Sequence, residues 1–151
     1  MKTPRHRFSR FMILAVPLIT LSCGSSTLPN PGLNIIASIS QQTSANMTFR
    51  IGVENTGSTT KSLNFSNSQF FDIEVKDLSG RLVWRWSNGA GFLDVLWALE
   101  LEPGESNARE TVWNLAGNDQ KPLSHGFYTA KIYITSSPRH PGLSSVIRLT
   151  I

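Results

Sequence analysis

The chain has 151 residues, a formal charge of +4 and a single cysteine, Cys23. Four of its 14 Lys and Arg residues precede Cys23 and none of its 10 Asp and Glu residues does, so the remainder is formally neutral. A neutral domain lacks the excess of Lys and Arg side chains that binds the phosphate groups of nucleic acid. This excludes nucleic acid as the expected partner. One cysteine cannot form an intrachain disulfide, so the core of a single domain of about 120 residues must stabilise the fold unaided.

Residues 1–22 have the layout of a signal peptide. Lys2 and three arginines form a positively charged n-region, and residues 11–21 form an apolar run. Because a membrane-spanning helix needs about 20 apolar residues, this run is too short to be a stable span. We therefore interpret it as an export signal.

Cys23 directly follows the apolar run, and the stretch from Leu18 to Cys23 resembles a bacterial lipobox. By that resemblance Cys23 is diacylated and becomes the mature N-terminus, which predicts an exported lipoprotein anchored to a membrane of the bacterial cell envelope. Thr20 and Ser22 also suit an ordinary signal peptidase, so plain secretion and an uncleaved anchor are the alternatives. Residues 23–32 are small, polar and rich in Pro and Gly, which predicts a flexible tether.

From Leu33 to Ile151 the apolar residues recur with a period of two, which is typical of β-strands with one face on a core. In the clearest case Phe71, Ile73 and Val75 alternate with charged residues. The same alternation predicts strands in four more stretches: Met47 to Val53, Leu82 to Trp86, Tyr128 to Ile134 and Ile147 to Ile151.

Turn-forming residues separate these stretches at 55–58, 77–80, 87–89, 102–105 and 138–142. Short alternating strands at intervals of about 8 to 12 residues predict an all-β domain of two antiparallel sheets packed face to face. One local exception is that Phe92, Val95, Leu96 and Leu99 fall at helical spacing. This spacing predicts one or two turns of helix over 91–97.

No residue pattern points to catalysis or to a metal site. His125 and His140 are the two histidines after Cys23, and both lie in turn regions without the spacing of zinc ligands. Nothing in the spacing places a base beside a nucleophile and an orienting carboxylate. We therefore expect neither enzyme activity nor a cofactor or metal.

Tryptophans and carboxylates offer two further candidate sites. Trp84 and Trp86 would suit stacking on sugar rings, but their period-two register with Leu82 predicts that they fill the sandwich interior. The candidate carboxylates are Asp72, Glu74, Glu100, Glu102 and Glu105. Alternation places them on a solvated strand face or in a turn, which predicts a role in solubility alone.

Several short motifs lie close together in the middle of the chain. They are SQFFDIEV at 68–75, a turn at Gly80, VWRWS at 83–87, a lone Phe92 and LEPGE at 101–105. Together they resemble the intracellular proteinase inhibitor family called BsuPI, and shorter matches extend the resemblance over most of 47–134. The resemblance implies an immunoglobulin-like β-sandwich without enzymatic activity, in a family named for inhibition of a subtilisin-like serine proteinase.

We therefore expect a membrane-anchored β-sandwich that binds an extracytoplasmic protein, with inhibition of a serine proteinase as the expected activity. The alternative is a structural or assembly module of the bacterial cell envelope.

Two loops are long enough to protrude as an inhibitory surface, 87–97 and 114–125. Subtilisin-like enzymes generally accept large apolar residues, so Leu115 is the candidate residue for presentation to the proteinase. The alternative is that Leu115 packs under its own loop. Phe92 and Leu93 are instead assigned to the core of the predicted helical turn.

Overall fold

The alternating segments form β-strands in the computed structural model, which describes residues 32–140 and 142–151. The predicted signal peptide, Cys23 and nearly all of the predicted tether lie outside these described residues. The strands are β1 (Leu33–Gln42), β2 (Met47–Asn55), β3 (Lys61–Phe65), β4 (Phe71–Asp77), β5 (Leu82–Arg85), β6 (Trp97–Leu101), β7 (Ser106–Trp113), β8 (Phe127–Ile134) and β9 (Ser144–Thr150).

Every pairing between these strands is antiparallel. One sheet has the order β1-β2-β7, a second has the order β5-β4-β8-β9, and β3 pairs with β6. The inner faces of the two larger sheets enclose one core, in which the apolar side chains of β2 and of the centre of β4 are fully buried. The expected immunoglobulin-like antiparallel β-sandwich is thereby confirmed.

Strands β3 to β6 form one long hairpin, and each of its two arms consists of two strands separated by an irregular segment. β3 and β4 follow each other on one arm, while β5 and β6 run back along them with Val75 opposite Trp84 and Phe65 opposite Trp97. Residues 66–70 interrupt the first arm and residues 86–96 interrupt the second. The two interruptions therefore lie beside each other.

The predicted helical turn over 91–97 is wrong. No helix occurs among the described residues, and Trp97 begins β6 instead. A segment of seven residues is a poor helix, because helices this short are marginal in water without tertiary packing. Nor does the described part of the chain contain a helix long and apolar enough to cross a membrane.

The tryptophans of the VWRWS motif face the core but lie at its rim. Trp84 stacks on Trp113 with ring centroids 4.9 Å apart, and Trp86 packs on Phe71 at 4.4 Å, yet both are only partly buried. They therefore cap the space between the sheets rather than fill its centre.

Leu82 does not share the inward face of Trp84, contrary to the predicted register. The pairing of β4 with β5 is irregular, so Trp84 lies opposite Val75 while Leu82 lies opposite the next residue, Lys76. Because Lys76 belongs to the outer face of β4, Leu82 turns outward as well and is 42% exposed.

Candidate protein-binding loop

Residues 86–96 join β5 to β6 and are called the β5–β6 loop below. The loop begins with tight turns, since the N–H of Asn88 donates to the carbonyl of Arg85 at 3.1 Å. The N–H of Ala90 then donates to the carbonyl of Ser87, also at 3.1 Å. These bonds fix the direction in which the chain leaves the sandwich.

Aromatic packing anchors the first half of the β5–β6 loop. The indole Nε1 of Trp86 donates to Thr111 Oγ1 at 3.0 Å, which ties the loop to the opposite sheet. The ring centroid of Phe92 lies 5.8 Å from that of Trp86. The lone Phe92 of the sequence motif therefore packs on the loop's own base.

Ser68 anchors the middle of the β5–β6 loop from the neighbouring arm of the hairpin. The N–H of Leu93 donates to Ser68 Oγ at 2.9 Å, and the N–H of Ser68 donates to the Leu93 carbonyl at 2.9 Å. Both backbone groups of Leu93 are thus engaged.

Trp97 anchors the end of the loop. Its ring stacks on Phe65 with centroids 4.0 Å apart and an interplanar angle of 9°, and its Nε1 donates to the carbonyl of Asn67 at 2.7 Å. The chain that follows the loop is therefore held on the sandwich by stacking, by this hydrogen bond and by the pairing of β6 with β3.

Between these anchors the β5–β6 loop exposes a group of aliphatic side chains. Leu93 is 74% exposed, Val95 44% and Leu96 84%. Within the described part of the chain, no hydrogen bond involves the backbone of Asp94, Val95 or Leu96. The loop therefore combines exposed apolar side chains with free N–H and C=O groups on a base that is fixed at three points.

A polar cluster lies under the start of the loop and corrects the prediction for Asp72. Asp72 is 2% exposed, whereas alternation predicted a solvated carboxylate. Its Oδ2 accepts hydrogen bonds from Arg85 Nε at 2.8 Å and from Ser87 Oγ at 2.8 Å. Alternation predicted the correct face of β4, but Arg85 and Tyr133 cover that face at this position.

Both carboxylates of this cluster contact the guanidinium group of Arg85. Arg85 Nη2 lies 3.2 Å from Oε1 of Glu74, which is half-buried, and it donates to the Tyr133 hydroxyl at 2.7 Å. The hydrogen bond to Asp72 raises the pKa of Arg85 above its ordinary value. Burial, followed by the charge of Asp72, raises the pKa of Tyr133. The cluster joins β4, β5 and β8, so it stiffens the strand from which the loop departs.

The three remaining carboxylates do not join this cluster. Glu100, Glu102 and Glu105 are exposed on β6 and in the turn that follows it, as the sequence predicted. Glu105 Oε2 accepts a hydrogen bond from the backbone N–H of Glu102 at 2.9 Å, which closes that turn.

Leu115 lies in the other predicted loop, but its side chain faces the core. It is 7% exposed, with a φ of 58°, and its carbonyl accepts a hydrogen bond from the N–H of Leu123 at 2.9 Å. Asn118 ties the same loop to β5, because its N–H donates to the Val83 carbonyl at 3.0 Å. The side chain of Leu115 therefore packs under its own loop, and a proteinase pocket cannot receive it in this conformation.

The two histidines lie apart from the loop. His125 is exposed, whereas His140 is half-buried and its Nδ1 atom has no hydrogen-bond partner among the described residues. Among residues 32–140 and 142–151, no group of three or more His, Cys, Asp or Glu side chains is placed to hold a metal ion.

Residues 33–139 match the family model described as intracellular proteinase inhibitor, BsuPI. The chain belongs to this family. The match covers the β5–β6 loop and both arms of the hairpin from which it projects. No curated protein matches the chain.

Several solved structures are similar to the chain at low identity. A β-glucosidase from Kluyveromyces marxianus is 18% identical with a TM-score of 0.45, over 79% of this chain and 14% of the enzyme. A β-glucosidase from Listeria innocua is 12% identical with a TM-score of 0.42, over 78% of this chain and 16% of the enzyme. A CARDB domain from Pyrococcus furiosus is 12% identical with a TM-score of 0.42, over 79% of this chain and 93% of that domain. The chain thus spans only a small part of the length of the two enzymes.

Sequence reasoning missed the exposed side chains of the β5–β6 loop because their spacing imitates a helix. The signal that could have revealed them is the glycine content of the segment. Gly89 and Gly91 lie just before Phe92, and two glycines within three residues are typical of a turn or loop. Without a helix, nothing would direct the side chains of Leu93 and Leu96 toward the core.

Proposed function

We propose that the protein is a membrane-anchored, extracytoplasmic inhibitor that binds a serine proteinase through its β5–β6 loop. Membership of the proteinase inhibitor family supports the activity. We assign proteinase binding to the β5–β6 loop because Leu93, Val95 and Leu96 are exposed on it while both of its ends are fixed. An inhibitor gains affinity when its binding loop is ordered before contact, because less conformational entropy is then lost on binding.

The proposed anchor rests on the sequence around Cys23. The family is described as intracellular, whereas residues 1–23 favour export. Export would bring the protein to a proteinase partner outside the cytoplasm. Two acyl chains on Cys23 would hold the protein at the bilayer, since each buried CH₂ contributes about 0.8 kcal/mol.

The start of β1, where a tether would join the domain, lies apart from the β5–β6 loop. Leu33 pairs with Asn55, and the side chain of Asn55 donates to the carbonyl of Leu101 at 2.8 Å. The domain therefore begins near the last residue of β6, whereas the loop joins the first residue of β6. Four residue steps along a strand separate the two by about 13 Å.

The test is an inhibition assay with the mature protein purified in detergent, against serine proteinases that prefer large apolar residues and others that prefer basic ones. We expect inhibition of the first group at micromolar concentration or below. Leu93→Asp combined with Leu96→Asp should abolish it, while the fold stays intact by circular dichroism. Leu78→Asp is the control, because Leu78 is 79% exposed in a turn outside the loop.

Failure of the unaltered protein to inhibit any enzyme of the panel would overturn the inhibitor proposal. The remaining function would then be the structural or assembly module of the cell envelope.

A further inference from the structure

We infer that Leu96 is the residue that enters the specificity pocket of the proteinase, and that the target enzyme accepts a large aliphatic residue there. This inference rests on the proposed function and adds the residue and the enzyme class. It follows from comparing the three exposed aliphatic residues of the β5–β6 loop.

A segment that binds like a substrate must meet three structural conditions. Its backbone pairs as an extended strand with the enzyme, so its N–H and C=O groups must be free. The carbonyl of the residue in the pocket must also be free, because the hydrogen-bond donors of the oxyanion hole bind it. The side chain of that residue must project into solvent.

Leu93 fails the condition on the carbonyl. Its carbonyl already accepts a hydrogen bond from the N–H of Ser68, and its own N–H donates to Ser68 Oγ. Binding of Leu93 in the pocket would require both bonds to break. Its side chain is exposed, but its backbone serves as an anchor of the loop.

Leu96 meets each condition. It is 84% exposed, and no hydrogen bond to a described residue involves its carbonyl. The carbonyl of Val95 is equally free, but its side chain is only 44% exposed and therefore projects less far into solvent. The two preceding residues, Asp94 and Val95, also have backbone groups that form no hydrogen bond within the described chain and can pair with an enzyme strand. The following residue is Trp97, which supplies an ordinary peptide N–H.

Trp97 also fixes the position of Leu96. Its ring is stacked on Phe65 and hydrogen-bonded to Asn67, so the peptide group that follows Leu96 is held against the sandwich. A residue next to such an anchor loses little freedom on binding, which favours tight association.

The aliphatic side chain of Leu96 defines the enzyme class. It suits a pocket lined by apolar groups, as in enzymes that accept large hydrophobic residues. It does not suit a trypsin-like pocket, in which a carboxylate receives a basic side chain.

The test exchanges Leu96 for a basic residue. Leu96→Lys should lose inhibition of the apolar-preferring proteinase by roughly 30-fold or more, as at an interface hot spot. It should gain inhibition of trypsin. Leu93→Lys is the matched control, since it places the same charge on an equally apolar, exposed position of the same loop, and it should not gain trypsin inhibition.

Unchanged inhibition of the apolar-preferring enzyme by Leu96→Lys would overturn the assignment of Leu96 and leave the inhibitor function standing. Gain of trypsin inhibition by Leu93→Lys instead would overturn it as well. Absence of inhibition by the unaltered protein would overturn the function itself, so the two failures are distinguishable.

Discussion

The buried carboxylate of Asp72 is stabilised by donors from three directions. Arg85 Nε, Ser87 Oγ and the N–H of Ile73 all lie within 2.9 Å of its oxygens. A buried charge of this kind is tolerated only when it is paired and hydrogen-bonded. Asp72 and Arg85 belong to two of the motifs that carry the family resemblance, and their contact gives a physical reason for those motifs to occur together.

Arg85→Ala should destabilise the fold. The substitution leaves the carboxylate of Asp72 buried without its main partner, which costs about 3 to 5 kcal/mol for a fully buried pair. Since the Arg85 side chain is 39% exposed, we expect a loss of unfolding free energy nearer about 2 kcal/mol in urea unfolding. Arg81→Ala is the matched control, because the Arg81 side chain is 76% exposed and the change should be much smaller. Equal losses in the two variants would contradict this account.

The lowered pKa of Asp77 should make the stability of the fold depend on pH under acidic conditions. The hydrogen bond from Ser79 Oγ, together with those from Arg81, lowers the pKa of Asp77 from 3.8 to about 2. A lowered pKa contributes stability that is present above pH 3.8 and is lost as the pH falls toward 2. Asp77→Asn should therefore show a flatter stability curve than the unaltered protein between these two pH values. Parallel curves from thermal melts would contradict this contribution.

At the scale of the strand, alternation is informative where one face of the strand meets the core. It predicts β2, β4 and β8 because their apolar residues are buried at every second position. It does not reveal β7, an edge strand whose sequence is largely polar and whose last residue, Trp113, is its only buried one. Nor can it reveal that Arg85 and Tyr133 cover Asp72, since those contacts are long-range.

The two candidate loops differ in what they expose, although their sequences look alike. Leu115 and Leu96 each lie in a loop of mixed polar and apolar residues, but Leu115 is 7% exposed and Leu96 is 84% exposed. The difference arises from tertiary contacts, which the sequence pattern does not contain. One loop is hydrogen-bonded to β5 through Asn118, and the other projects between its anchors.

Leu115→Ala and Leu96→Ala should therefore differ in their effect on stability. Leu115→Ala removes a buried side chain and should lower the free energy of unfolding by about 2 to 4 kcal/mol. Leu96→Ala removes an exposed one and should change it by less than about 0.5 kcal/mol. Urea unfolding of both variants measures this. A large loss for Leu96→Ala would show that Leu96 packs against the domain and is not available to a partner.

For the whole molecule, the proposed anchor and the proposed binding surface lie at different places. The first strand begins near the end of β6, and the β5–β6 loop precedes the start of β6. A flexible tether of the nine residues that follow Cys23, 24–32, would reach about 15 to 17 Å from the bilayer. An anchored protein could therefore present the loop to a soluble proteinase.

Cys23→Ser should release the protein from the membrane. Without acylation the mature chain has no lipid to hold it, so the variant should move from the detergent phase to the aqueous phase in a detergent partition experiment. Partition of the unaltered protein into the aqueous phase would contradict the anchor while leaving the proposed inhibition intact.

Hydrogen exchange of the complex tests most directly whether the β5–β6 loop is the binding surface. The amide groups of Asp94, Val95 and Leu96 form no hydrogen bond with a described residue, so they should exchange rapidly in the free protein. Addition of an apolar-preferring serine proteinase whose nucleophilic Ser is replaced by Ala should protect the amides of Asp94 and Leu96, because pairing along one edge of a strand engages alternate residues. Unchanged exchange at these amides, with protection in the loop that contains Leu115 or elsewhere, would contradict the account.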